Sequence, residues 1–146
     1  MRSRVINRGG VISGYSGTPL TKKLGIKARS RLKTRGAPSH YAALLAPLPD
    51  GAVVSARLRA PVDIIHIFSK SRSQLRNELK RGLREIHPEG AIWVSWPKKS
   101  SGTPTDLTED VVRELAFPLA LVDIKVCAVD DTWSALKLVI RKSRRK

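Results

Sequence analysis

The sequence predicts an α/β fold: a mostly parallel sheet with helices on both faces and a C-terminal antiparallel hairpin. Three observations point there. Apolar, β-branched runs at 62–68 and 91–96 read as strands buried on both faces. Stretches with helical spacing stand between the strand-like runs, the alternation of a parallel sheet with covered faces. The last two strand-like segments, 122–129 and 135–141, are joined by so short a link that they must pair antiparallel.

Each element follows in order. Residues 1–14 are basic, contain glycine and have no period, so they are expected to form a mobile arm. Thr18 is a natural helix cap and Pro19 suits the first helical position. Leu20 and Leu24 share a face of this short helix, and Gly25 can close it in a left-handed cap, followed by apolar Ile26. The stretch 29–35 stands where a first strand belongs, yet only Leu32 is apolar. A second helix is expected from Ser39, a candidate cap, with Tyr41, Leu44, Leu45 and Leu48 inward. Pro47, Pro49, Asp50 and Gly51 turn the chain out of it.

Strands are expected at 53–58 and 62–68. Ser71 or Ser73 caps the next helix, whose stripe is Leu75, Leu79, Leu83 and Ile86, with Arg72, Arg76, Lys80, Arg81 and Arg84 opposite. The segment 87–90, His-Pro-Glu-Gly, reads as its break. After the strand 91–96, Asp106 and Glu109 have capping-box spacing ahead of a helix that buries Leu107, Val111, Val112 and Leu115 and ends at Pro118. The resulting order resembles a reduced Rossmann-like sheet of the class I methyltransferase type, a likeness of fold that carries no function by itself. The 146 residues divide into the arm, one domain at 15–141 and a basic tail at 142–146.

Composition bounds the function classes. Twenty-eight Lys and Arg face twelve Asp and Glu, a formal charge of +16. No acidic residue precedes Asp50. Such an excess attracts polyanions irrespective of their sequence. Only three Trp, two Tyr and two Phe are present, too few among the basic runs for a stacking-type single-strand binder. One cysteine, Cys127, excludes an internal disulfide and fits a reducing compartment. Three scattered histidines give no metal-ligand spacing. No apolar run approaches the ~20 residues of a membrane span, and the start lacks a signal-peptide apolar region. A cytoplasmic protein without membrane contact is the expectation.

The segment from Trp96 to Asp106 is the candidate site. Trp96-Pro97-Lys98-Lys99-Ser100-Ser101-Gly102 leaves a strand and approaches a helix through Asp106. Lysines, hydroxyls and backbone amides at a helix N-terminus suit a phosphate or carboxylate. The spacing is not that of a P-loop, and ordinary capping explains it as well. Lys125, on the hairpin, joins Lys98, Lys99, Ser100, Ser101, Gly102, Asp106 and Trp96 as the candidate anion-binding set. Trp93 and Trp96 are more simply core residues. Asp123, Asp130, Asp131, Trp133 and Ser134 read as hairpin salt-bridge or turn residues, Cys127 as a buried thiol, and His66 as a hydrogen-bonded core histidine. His40 is placed to hydrogen-bond at the start of the second helix.

Several long motifs carry a resemblance. Gly14-Tyr15-Ser16-Gly17-Thr18-Pro19-Leu20, Trp96-Pro97-Lys98-Lys99-Ser100-Ser101-Gly102, Thr105-Asp106-Leu107-Thr108-Glu109-Asp110-Val111-Val112-Arg113-Glu114 and Lys125-Val126-Cys127-Ala128-Val129-Asp130 with Thr132-Trp133-Ser134 resemble the StaR-like bacterial proteins, over nearly all of 14–141. That resemblance implies a small bacterial α/β protein and no particular activity. The chain departs from the family pattern at the first strand. There the family is apolar and leads into an Asn-Ala-Pro turn, whereas this chain has Leu32-Lys33-Thr34-Arg35-Gly36-Ala37-Pro38.

The loop after the first strand lacks the glycine-rich sequence by which backbone approaches a dinucleotide or S-adenosylmethionine. No cofactor is therefore expected. The leading reading is a non-enzymatic or accessory module with a small anionic-ligand or partner site at 96–106. The alternatives are a divergent S-adenosylmethionine-dependent methyltransferase and weak, non-specific nucleic-acid binding through the basic termini.

Overall fold

The computed structural model describes residues 17–145. The expected mobile arm at 1–14 lies outside them. In chain order the elements are α1 (Leu20–Leu24), β1 (Arg31–Arg35), α2 (Tyr41–Leu45), β2 (Val53–Ser55), β3 (Val62–Phe68), α3 (Arg72–Leu83), β4 (Ile86–Pro97), α4 (Glu109–Ala116), β5 (Leu121–Ala128) and β6 (Trp133–Ile140). They form a six-stranded sheet in the order β2-β1-β3-β4-β6-β5. The first four strands are parallel, and β6 runs antiparallel to both β4 and β5. The predicted class and closing hairpin are both present.

The two sheet faces have different partners. Ile65, Ile67, Ile92, Val94, Trp96, Leu136 and Leu138 face α3 and α4, meeting Leu75, Leu79, Val112 and Leu115. Leu32, Ile64, Phe68, Trp93 and Ala135 face the short helices α1 and α2, meeting Leu20, Leu24, Tyr41 and Leu45. Helices α1 and α2 have five residues each. Isolated helices of that length are marginal, so packing on the sheet holds them.

The polar stretch 29–35 does supply a central strand, β1, seated between β2 and β3. Its alternation explains how. Leu32 is fully buried and Thr34 lies under the α1–α2 layer. Lys33 and Arg35 alternate to the other face, where Glu85, just past α3, accepts from both. Glu78 on α3 adds an oxygen 3.8 Å from Arg35 Nε. An ion-paired patch thus stands where an apolar strand face would normally be.

Several boundaries differ from expectation. Helix α1 begins at Leu20, with Pro19 in the cap position, and Gly25 closes it at φ +80°. Helix α2 is preceded by His40 rather than capped by Ser39, and Leu48 is 38% exposed. Strand β2 stops at Ser55. Ile86 opens β4 instead of closing the α3 stripe, and the expected break at 87–90 belongs to the strand. There the β3–β4 register shifts, between Val62 and Ile64. The cap of α3 is Ser71, which accepts from Gln74 N–H. The cap of α4 is Thr108, not Asp106: its hydroxyl accepts from Val111 N–H at 3.2 Å. A 3-10 turn, Phe117–Leu119, carries Pro118. In the tail, Lys142–Arg144 form a 3-10 turn and Arg145 Nε donates to the Ile140 carbonyl. Among the described residues no helix is long and apolar enough to cross a membrane.

Candidate functional site

In open α/β sheets the ligand crevice lies beyond the carboxyl ends of the strands, where the strand order reverses. Here that point falls between β1 and β3. The crevice is closed. Gly36, at φ +72°, packs so tightly that a Cβ there would stand 2.8 Å from the Phe68 carbonyl oxygen. Its glycine brings loop against strand rather than loop against ligand. Tyr41, the first residue of α2, lies edge-on to both His66 and Phe68. Phe68 in turn stacks on His66 and meets Trp133 edge-on.

A buried polar row runs beneath these rings. Tyr41 Oη lies 2.6 Å from His66 Nδ1, and His66 Nε2 lies 2.7 Å from Ser95 Oγ. Burial pushes the imidazole pKa down to about 3 and the Tyr41 phenol up. The ring is therefore neutral, so one nitrogen donates and the other accepts, giving a single directed chain. His66 and Ser95 are fully buried, so neither meets a substrate without rearrangement. The core reading of His66 fits this geometry; the link to Tyr41 had no signal in the linear pattern.

The turn from Trp96 to Asp106 has a defined conformation. Trp96 is buried against the α3–α4 layer. Lys99–Ser101 form a 3-10 turn closed by Gly102 at φ +75°. Ser101 Oγ donates to the Lys98 carbonyl at 2.7 Å and accepts from Thr103 N–H. Lys98 N–H donates to the Thr132 carbonyl. Asp106 accepts from Arg72 N–H at 2.9 Å, so its carboxylate occupies the N-terminus of α3. Thr105 Oγ1 donates to the Lys70 carbonyl, tying the turn to that helix start. Ser100 and Lys99 are exposed, and the Lys98 and Lys99 ammoniums pair with no carboxylate among the described residues. Lys125 is not gathered here. Its register through Lys137 to Trp93 sets it five residues short of Lys98, about 16 Å along the sheet. Trp93 is fully buried and its indole N–H donates to the Leu24 carbonyl, so neither tryptophan offers a stacking face.

The hairpin residues have structural partners. Asp130 accepts from Thr132 and Trp133 N–H groups and lies 2.9 Å from His40 Nε2. Burial alone would raise its pKa; His40 and the two amides outweigh it and hold it low. Asp123 accepts from Arg113 Nε, and Arg113 also pairs with Glu109 and Asp110. Cys127 is half-buried, and burial raises its thiol pKa against the opposing pull of Lys23 and Lys125. It is thus a poor nucleophile. Among the described residues no three metal-ligating side chains come together.

A cavity of about 580 Å³ opens at the opposite, amino end of the parallel strands. Its walls include Lys27, Ser30, Asp63, His87, Glu89 and Lys137. Lys137 lies on β6 beside Lys125 of β5, with its Nζ 6.0 Å from the Trp93 ring centroid. Burial, then the charges of Lys125 and Lys27, lowers the Lys137 pKa. Lys27 and Lys137 come from opposite ends of the sequence, which is why no linear motif marked this cleft.

Comparison with known proteins places the fold. No family model matches the chain, and no curated protein matches it in sequence. Solved structures do match. A SAM-dependent methyltransferase from Aquifex aeolicus superposes at TM-score 0.57 and 13% identity, covering 83% of this chain and 88% of that one. A SAM-dependent O-methyltransferase from Thermotoga maritima gives 0.57 and 10%, covering 87% of this chain and 64% of that one. The Bacillus subtilis m1A22 tRNA methyltransferase gives 0.56 and 12%, covering 88% and 68%. The sheet is of the class I methyltransferase type. At these identities the likeness is one of fold, and fold carries no activity by itself.

Proposed function

We propose that this chain is a binding module built on a methyltransferase-type sheet, and that it does not carry the cofactor of its structural neighbours. The observation supporting this reading is the closed carboxyl-end crevice. The loop after β1 lies against the Phe68 carbonyl through Gly36, and the rings of Tyr41, His66, Phe68 and Trp133 interlock beside it. The module then acts through its cationic surfaces. Two are candidates: the Lys98–Lys99 turn, where Asp106 opposes an anion, and the Lys27–Lys125–Lys137 group at the other end of the sheet.

The competing reading is a divergent S-adenosylmethionine-dependent methyltransferase, which the structural neighbours favour. Thermal unfolding with and without S-adenosylmethionine or S-adenosylhomocysteine separates the two. A ligand at one hundred times its Kd stabilises by about 2.7 kcal/mol, or roughly 5–10 °C in Tm for a domain of this size. The expected result is no shift at 1 mM of either compound. A shift of several degrees overturns the binding-module reading and establishes the cofactor.

A further inference from the structure

The amino-end cleft combines three features. It has volume, about 580 Å³. It has a cationic wall: Lys27 lies on the lining and Lys137 on β6 beside Lys125, with no carboxylate partner for any of them among the described residues. It also has an acidic wall, formed by Asp63 and Glu89 with Ser30 beside them. Asp63 is partly occupied: one oxygen accepts from Arg31 N–H at 2.8 Å, and the other lies 3.9 Å from His87 Nε2. Glu89 is exposed.

Lys137 makes the cationic wall more than a solvated surface. Its stem lies in the α1 side of the sheet, where a Cβ on Gly25 would come within 3.8 Å of its Nζ. Lys125 stands opposite it across the hairpin and Lys27 lines the same cleft, with no carboxylate ion-paired to any of the three among the described residues, the situation that a bound dianion relieves. A half-buried lysine of this kind seats a phosphoryl group as a point charge.

We propose that this cleft binds the phosphate monoester of a small polyol, with the phosphoryl group on Lys27 and Lys137, Lys125 adding positive charge from the neighbouring strand, and the hydroxyls donating toward Asp63, Glu89 and Ser30. The proposal deepens the binding-module reading. Its test addresses the opposite end of the sheet from the S-adenosylmethionine experiment, so the two can fail separately.

The test is isothermal titration of the full chain with D-ribose 5-phosphate, D-ribose and inorganic phosphate. Ribose 5-phosphate is expected to bind, ribose to give no heat, and inorganic phosphate to bind at least fivefold more weakly. Lys137→Gln should weaken ribose 5-phosphate at least tenfold. Lys27→Gln, at an exposed position where folding is not at stake, should weaken it severalfold. Lys80→Gln, an exposed charge removed from α3 on the other face, should leave it unchanged. The proposal is overturned by no heat at millimolar ribose 5-phosphate, by inorganic phosphate binding equally well, or by Lys80→Gln weakening binding as much as Lys137→Gln. That last outcome would mean general attraction to a chain of charge +16.

Discussion

The ion-paired strand β1 makes a quantitative prediction. Arg35 has only 7% of its side chain exposed and is held by Glu85, with Glu78 3.8 Å away and Lys33 sharing Glu85 at 3.2 Å. Replacing Glu85 by Ala leaves the guanidinium buried with only the distant Glu78. Removing one partner of a buried pair costs about 3–5 kcal/mol. Glu85 is itself about one-fifth exposed and Glu78 remains, so the expected loss is about 2–3 kcal/mol on this scale. That is a large part of a typical domain stability of about 5–15 kcal/mol. Urea unfolding followed by circular dichroism at pH 7 measures it. The double variant Arg35→Met with Glu85→Leu should recover all but about 1 kcal/mol, because no unpaired guanidinium remains. The pH dependence has a defined sign. Burial would raise the Glu85 pKa, but hydrogen bonds from Arg35 and Lys33 hold it below its ordinary value. The stabilisation is present above the unfolded carboxyl pKa and lost as pH falls through the folded one. The gap between wild type and Glu85→Ala should therefore narrow below about pH 4. A loss under about 0.5 kcal/mol, or a double variant as unstable as the summed singles, would refute the argument that this pair holds a polar strand in the sheet.

Two further predictions concern the closed crevice. His66 is neutral in the fold down to about pH 3, whereas the unfolded chain takes up a proton near pH 6.5, so stability should fall as pH drops between those values. The slope from this residue is at most about 1.4 kcal/mol per pH unit; His66→Gln should flatten it in unfolding curves from pH 5 to 8, and identical slopes would contradict the buried row. Gly36→Ala and Gly102→Ala both place a side chain at positive φ, but the first meets the Phe68 carbonyl and the second nothing within 4 Å. Gly102→Ala should cost about 1 kcal/mol and Gly36→Ala roughly twice that or more; equal costs, read from thermal unfolding, would mean the crevice is not closed by that contact.

The linear pattern carried the parts of the fold whose determinants are local. Strands β3 and β4 are apolar runs, and α3 has its stripe and its Ser71 cap. The polar β1 was legible only by position, because its compensation comes from Glu85, fifty residues beyond Arg35. Asp106 misleads for the same reason. Its spacing to Glu109 mimics a capping box, but its carboxylate serves Arg72 N–H on another helix, and Thr108 does the capping. In the candidate site, Lys98 to Gly102 stay together because they are one turn. Lys125 leaves the set because hairpin register, invisible in composition, sets it beside Lys137. The amino-end cleft needs α1, β3, β4 and β6 assembled before its walls exist.

The position of β6 has a consequence for how the chain must assemble. It follows β5 in sequence yet lies inside the sheet, between β5 and β4. Until residues 133–140 have been synthesised and are free of the ribosome, the backbone of β4 has an open edge from Ala91 to Pro97, and β5 has no strand to join. A nascent chain halted before Trp133 would present that apolar edge to other chains, a ready template for aggregation. The order of synthesis therefore makes sheet closure the last step, and early translational stops should yield insoluble fragments rather than smaller folded ones.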